Sequence, residues 1–279
     1  LSGIESSARP SSAASVADWE IVVARYGRRT TSRSEVYLNY AVYGEADGPI
    51  GMDYFVWIVR NADATIVIDT GFSRRGGDAR GRETIIDPSA IFDEIGADRR
   101  TATVVVTHAH YDHIGNLHLF PEARVILARR ELEFWTGPLR RKPLFHHSVE
   151  ESELDHLAMV AAQPRAQLFE NHIEVAPGVD VIEFGGHTPG TCGVRVRTRE
   201  GTVLLACDVV HYYEELERDM PFSSVVDIGR MYSAFDEIRA MQSSGEIDLV
   251  IPGHDPATLS RLRPGLAPTE NIVVLGGAR

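Results

Sequence analysis

The chain has 279 residues, a formal net charge of -12, 43% hydrophobic residues and 24% charged residues. That length can bury a sizeable core, and no apolar run approaches the length needed to cross a bilayer. The acidic balance works against nonspecific binding to nucleic acid or to an anionic membrane, because phosphate surfaces are met by clustered Lys and Arg. The basic groups Arg28-Arg29, Arg99-Arg100 and Arg140-Arg141-Lys142 are short and read as solvated faces. Only Cys192 and Cys207 occur, each in an apolar neighbourhood, which fits reduced packing residues better than a disulfide framework. No positively charged segment followed by an apolar signal core opens the sequence, so the cytoplasm is the expected compartment. No Gly/Ser or Pro-rich linker divides the chain, which reads as a single domain over 1–279 with a Ser/Ala-rich N-terminal arm over 1–19.

In chain order, apolar runs predict strands at Ile21 to Ala24, Tyr37 to Val42, Tyr54 to Val59 and Thr65 to Asp69, then a helix from Pro88 to Ile95. A short buried strand is expected from Ala102 to Thr107. The aromatic and basic stretch from Glu131 to His147 contains two prolines and reads as a loop. It falls within 129–165, a segment expected to form a cap or substrate-binding insertion, or an oligomer contact in a homodimer. Helices are predicted from Ser148 to Ala162, with Val149, Leu154, Leu157 and Val160 inward, and from Asp227 to Met241. The second carries an apolar stripe of Ile228, Tyr232, Phe235, Ile238 and Met241. Strands alternating with helices favour a layered α/β architecture.

Chemistry concentrates in THAHYDHIGN, residues 107–116, which places three histidines and an aspartate within six positions. His108 and His110 are one residue apart, so in an extended segment their side chains leave the same side. Asp112 and His113 follow and can serve a second ion. Three later runs have the same form, each a strand ending in a tight turn with a metal-capable residue: Val179 to Phe184 before His187, Thr202 to Ala206 before Asp208, and Ile247 to Ile251 before His254. The run from Ala64 to Gly71 delivers Asp69 in the same way, as an acceptor that would orient a histidine ring. Imidazole nitrogen and carboxylate oxygen suit zinc, with manganese, cobalt or iron also compatible.

HAHYDH, followed by GHTPG, CD and GH, resembles the HxHxDH signature and later motifs of the metallo-β-lactamase superfamily. The resemblance runs from about Tyr54 to His254 and implies a four-layer αβ/βα sandwich. It implies that His108, His110 and His187 hold one metal, that Asp112, His113 and His254 hold the other, and that Asp208 bridges them. Within the superfamily the chain looks most like the quorum-quenching N-acyl-homoserine lactone lactonases. Members of that branch commonly carry a tyrosine three residues after the bridging aspartate, where this chain has His211.

The expected function is therefore a dinuclear metal-dependent hydrolase that opens a lactone ring by attack of a bridging hydroxide on the ester carbonyl. Asp112 would shuttle a proton to the departing oxygen, and His211 or Tyr212 would hydrogen-bond the oxyanion. Candidate wall residues for an acyl or aromatic moiety are Met52, Phe55, Phe134, Trp135, Leu139, Phe145, Met220 and Phe222. Another carboxylic-ester or thioester hydrolase is the first alternative, followed by a phosphodiesterase and by a noncatalytic metal-binding module.

Overall fold

The computed structural model describes residues 19–267 and 269–276, so the arm expected over 1–19 lies outside the described residues apart from Trp19. In chain order the strands are β1 (Glu20–Ser32), β2 (Pro49–Arg60), β3 (Thr65–Ile68), β4 (Glu83–Thr84), β5 (Thr103–Val106), β6 (Arg124–Ala128) and β7 (Ala166–Phe169). They continue as β8 (His172–Ala176), β9 (Val179–Glu183), β10 (Cys192–Thr198), β11 (Gly201–Cys207), β12 (Leu249–Pro252) and β13 (Ile272–Leu275). One sheet has the order β13-β1-β2-β3-β5-β6-β7 with β4 paired to β1, and the other the order β12-β11-β10-β9-β8.

Residue alternation explains why these two sheets face each other. Along β1, Ile21 and Val23 enter the core between the sheets, while Val22 and Ala24 enter the outer core under helices. Phe55, Trp57 and Val59 of β2 alternate with Tyr54, Val56 and Ile58 in the same way, as do Val203 and Leu205 of β11 with Leu204 and Ala206. Strands apolar on both faces need cover on both faces. Helices Pro88–Ile95 and Glu151–Ala161 cover one sheet, and Ile228–Ser243 covers the other through Met231, Phe235 and Ile238. The result is the expected four-layer α/β sandwich. Cys192 and Cys207 are buried between the sheets and unpaired.

Three local expectations are corrected. Tyr37 to Val42 is not a strand: Asn39 and Gly44 take left-handed backbone conformations on either side of a 3-10 turn at Tyr40–Tyr43. Glu131 to His147 is not an open loop but three short helical pieces, Arg129–Thr136, Pro138–Arg141 and Pro143–His146, broken at Gly137 and Lys142. The buried face of Ile228–Ser243 is rotated from the expected stripe. Ile228 and Tyr232 are exposed, and Met231 and Ala234 take the inward positions beside Phe235 and Ile238.

Strand direction assembles the functional rim. β3, β5 and β6 run parallel, and β9 runs parallel to β11 through their common antiparallel neighbour β10; β12 is parallel to β11. The carboxyl ends of β3 and β5 therefore share one edge of their sheet, and those of β9, β11 and β12 share one edge of the other. Asp69, His108, His187, Asp208 and His254 all follow these ends.

Helix Glu151–Ala161 closes the back of this region. The Ser73 hydroxyl donates to Glu153 at 2.6 Å. Burial pushes the Glu153 carboxyl up from 4.5 to about 7, with the Ser73 hydrogen bond opposing the rise and Glu150 adding to it. A carboxyl raised on folding contributes stability that is complete below its unfolded value near 4.5 and is lost as pH rises through 7. Glu153→Gln keeps an acceptor for Ser73 and carries no charge. Its thermal unfolding midpoint should therefore exceed the wild-type value at pH 8 and converge with it near pH 4.5; equal midpoints at both pH values would contradict this.

Candidate metal centre

Seven buried side chains fall into two groups whose ligand atoms lie within 4.8 Å of one another: His108, His110, His187 and Asp208 in one, Asp112, His113 and His254 in the other. The Asp208 carboxylate stands between them. Its Oδ2 is 3.6 Å from His108 Nε2 and 3.5 Å from His187 Nε2, its Oδ1 is 3.4 Å from His113 Nε2, and His254 Nε2 lies 3.1 Å from Oδ1 and 3.3 Å from Oδ2. Asp112 Oδ2 is 3.9 Å from His113 Nε2 and 3.8 Å from His254 Nε2.

Local backbone geometry aims these groups. After β5 the chain turns into a single helical turn, Tyr111–Ile114, which carries Asp112 and His113 and sets the His113 ring against His108, with centroids 3.9 Å apart. Cys207 holds a left-handed conformation that turns Asp208 out of the end of β11. Gly253 must be glycine, since a Cβ there would lie 2.6 Å from Asp208 Oδ1 and 2.7 Å from the Cys207 carbonyl oxygen.

Each of three rings is fixed from behind. His187 Nδ1 donates to the Ser224 carbonyl at 2.6 Å, His254 Nδ1 to the Asp53 carbonyl at 2.8 Å, and His113 Nδ1 to Asp69 Oδ2 at 2.7 Å. Carbonyl oxygens only accept, so Nδ1 of His187 and His254 carries the hydrogen, and the Nε2 lone pair of the neutral ring faces the centre. Asp69 also accepts from the Thr107 amide and hydroxyl, at 2.8 and 2.7 Å.

Burial, reinforced by neighbouring imidazoles, lowers His108 and His110 well below the usual histidine value and takes His187 down to about 3. Burial would lower His113 as well, but Asp208, Asp69 and Asp112 hold it well above that value. Asp208 goes the other way, because His254, His113, His211 and His108 outweigh the burial that would raise it.

His108 Nε2, His113 Nε2 and Asp208 Oδ1 are buried without a hydrogen-bond partner. Buried polar atoms are ordinarily paired, and leaving them unpaired is costly. His187 Nε2 and His110 Nδ1 face each other at 2.9 Å. Converging nitrogen lone pairs and unpartnered carboxylate oxygen form a donor set that fits divalent cations.

The other candidates separate by position. His211 Nε2 lies 3.3 Å from Asp208 Oδ2, and its Nδ1 lies 3.3 Å from Glu215 Oε1. Burial opposes its protonation, yet Glu215 and Asp208 raise His211 to about 9. Tyr212 is corrected: its hydroxyl donates to the Gly51 carbonyl at 3.0 Å, which leaves it no donor for an oxyanion.

A cleft of about 210 Å³ opens over His110 and His187, with walls from Leu144, Phe145, Val225 and Val226. Of the proposed wall residues, only Phe145 lines it. Phe134 packs behind Phe145, with ring centroids 5.3 Å apart. Phe222 stacks on His211 at 3.8 Å, and Trp135 packs edge-on against His110 at 5.6 Å. Phe55 is packed between the sheets beside Trp57, and Met52 and Met220 are buried in the outer core, so none of the three serves as a wall. Leu139 is 44% exposed and also lies outside the lining.

Sequence reading missed two buried carboxylates, Glu131 and Glu215. The four-residue spacing from His211 to Glu215 was an available signal, whereas nothing local separates Glu131 from its exposed neighbour Glu133.

Residues 51–254 match the family model of the metallo-beta-lactamase superfamily. An N-acyl homoserine lactonase of Bacillus thuringiensis is 30% identical over 121 residues, 43% of this chain and 43% of the relative. The chain thus spans less than half the length of that relative. The human acyl-coenzyme A thioesterase MBLAC2 is 27% identical over 217 residues, 71% of this chain and 72% of the relative. Among solved structures, a quorum-quenching N-acyl homoserine lactone lactonase superposes with a TM-score of 0.72 at 18% identity, covering 90% of this chain and 96% of that one. A dizinc quorum-quenching lactonase in complex with a product superposes with a TM-score of 0.68 at 18% identity, covering 95% and 96%.

Loss of the carboxylate behind His113 should weaken cation binding by about 10- to 100-fold, the usual effect of removing a partner that orients a metal-binding histidine. Zinc competition with a chromophoric chelator measures this for Asp69→Ala, and an affinity equal to wild type would contradict the orienting role.

Proposed function

The chain belongs to the metallo-beta-lactamase superfamily, and from that premise we propose that it is a hydrolase that opens a lactone ring with two divalent cations, zinc foremost. The observation that carries the reading is the Asp208 carboxylate, with Oδ2 toward His108 and His187, Oδ1 toward His113, and His254 Nε2 nearer Oδ1, at 3.1 Å, than Oδ2, at 3.3 Å. In this reading His108, His110 and His187 hold one cation, Asp112, His113 and His254 hold the other, and Asp208 is shared. Bound there, the cations would supply Lewis acidity toward the ester carbonyl and lower the pKa of water enough to furnish a nucleophile near neutral pH.

The chain's own groups do the rest. Asp112 takes up the proton released as water adds to the carbonyl and returns it to the ring oxygen as the C–O bond breaks, so that ester and water become hydroxy acid. His211 holds a proton at Nε2, backed by Glu215 at Nδ1 and facing Asp208 Oδ2 at 3.3 Å, and in this reading shares that proton between Asp208 and the oxygen that becomes negative. Residues 129–165 act as a cap, contributing Leu144, Phe145, His147 and Ser148 to the cleft and excluding water from one side.

A thioester substrate is the second reading, favoured by the likeness to the human acyl-coenzyme A thioesterase. Two observations support the lactone over it. The cleft is small, about 210 Å³, and no Lys or Arg is among its lining residues. A coenzyme A thioester carries several phosphate charges that call for such residues, and the chain's formal charge of -12 adds repulsion.

A panel of lactones graded in ring size and acyl length, followed by proton release at constant pH, tests the assignment beside an acyl-coenzyme A and bis(p-nitrophenyl)phosphate. Lactone opening should dominate, and Asp112→Asn should lower kcat by about 10²- to 10⁴-fold. Efficient thioester turnover without lactone opening would overturn the substrate assignment.

A further inference from the structure

Glu131 sits in the first turn of helix Arg129–Thr136 with its side chain fully buried. Its carboxylate accepts four hydrogen bonds. Oε1 takes the Ala109 amide at 2.8 Å and the Trp135 indole N–H at 2.7 Å; Oε2 takes the Thr188 hydroxyl at 2.6 Å and the Gly190 amide at 3.1 Å. Two of these donors are backbone groups on different loops. Ala109 separates His108 from His110, and Thr188 and Gly190 follow His187.

The fit around the carboxylate is tight on every side. A Cβ at Gly190 would lie 2.4 Å from the Glu131 amide nitrogen, so the His187 loop reaches the helix only because that position is glycine. Thr188 Oγ1 is also 2.6 Å from Thr191 Oγ1, and the Thr188 amide donates to Thr191 Oγ1 at 2.7 Å, which closes the loop on itself. Trp135 holds the carboxylate and packs on the His110 ring at 5.6 Å.

We infer that Glu131 is the positioning residue that locks the His108–His110 segment to the His187 loop, and so sets the geometry of one cation site without touching the other. The inference rests on the two-cation reading of the site. No hydrogen bond or ion pair joins Glu131 to Asp112, His113 or His254, whose rings and backbone are held instead by Asp69, Asp53 and Tyr26. A carboxylate serving only the fold would leave both sites alike. A clamp between two ligand loops weakens one of them selectively.

Isothermal titration with zinc on the full chain separates these outcomes. The wild type should bind two zinc ions per chain; fewer would refute the two-cation reading itself. In a His254→Ala background, which retains the His108/His110/His187 site, adding Glu131→Ala should lower zinc affinity by about 10- to 100-fold. In a His187→Ala background, which retains the other site, the same substitution should leave affinity unchanged. Glu131→Gln keeps the shape and three acceptor-donor pairs, loses the one to the Gly190 amide, and should fall between wild type and Ala in the first background, which keeps the test valid where Glu131→Ala fails to fold. Equal losses in both backgrounds, or no loss in either, would overturn the clamp.

Discussion

Asp208 has to be ionised and buried with imidazoles, not Lys or Arg, around it, and the rest of the site follows from that requirement. A carboxylate taken out of water carries a large desolvation penalty unless opposite charge or hydrogen-bond donors surround it. Five imidazole nitrogens lie within 3.6 Å of its two oxygens, from His108, His113, His187, His211 and His254. Most of those rings have their other nitrogen committed to a carbonyl or carboxylate, so each offers the centre what its tautomer allows. The sandwich supplies the rigid frame. Strand ends from two sheets meet at one rim, and the apolar alternation that buries the sheets also fixes where those ends fall.

A division of labour emerges around that rim. Asp69 holds the His113 ring directly and ties it to Thr107, whose hydroxyl also reaches His108 Nδ1 at 3.3 Å. Glu131 belongs to the His110 and His187 side, where it ties two loops together. The His211–Glu215 pair stands third, against Asp208 itself. Each is a buried carboxylate acting on an imidazole or on the loop that carries one, so the geometry of the centre is set by groups that need not touch a substrate.

Much of this was legible from residue types. Short apolar runs ending in Gly, Pro or a polar residue place three strand ends at Asp69, Thr107 and Ala206, each within one residue of the observed Ile68, Val106 and Cys207, because buried strands must be apolar and their turns must not be. The metal-capable residues follow those ends directly, so finding the strands found the rim. Longer-range commitments were not legible. Nothing near Tyr212 in the sequence says that its hydroxyl is taken by the Gly51 carbonyl, more than a hundred residues away. Tyr37 to Val42 reads as a strand by aromatic and β-branched content, but the left-handed Asn39 and the contact of Tyr37 with Glu214 hold it in a turn. The face of Ile228–Ser243 could not be chosen from periodicity alone, since Met231 and Ala234 fit a helical stripe as well as Ile228 and Tyr232 do.

The account depends on two cations sharing Asp208. Anomalous diffraction at the zinc absorption edge, from crystals of zinc-loaded protein, tests this most directly. The account predicts two peaks, one beside His108, His110 and His187 and the other beside Asp112, His113 and His254, each in contact with one oxygen of Asp208. A single peak, or a pair of which only one touches that carboxylate, would contradict it.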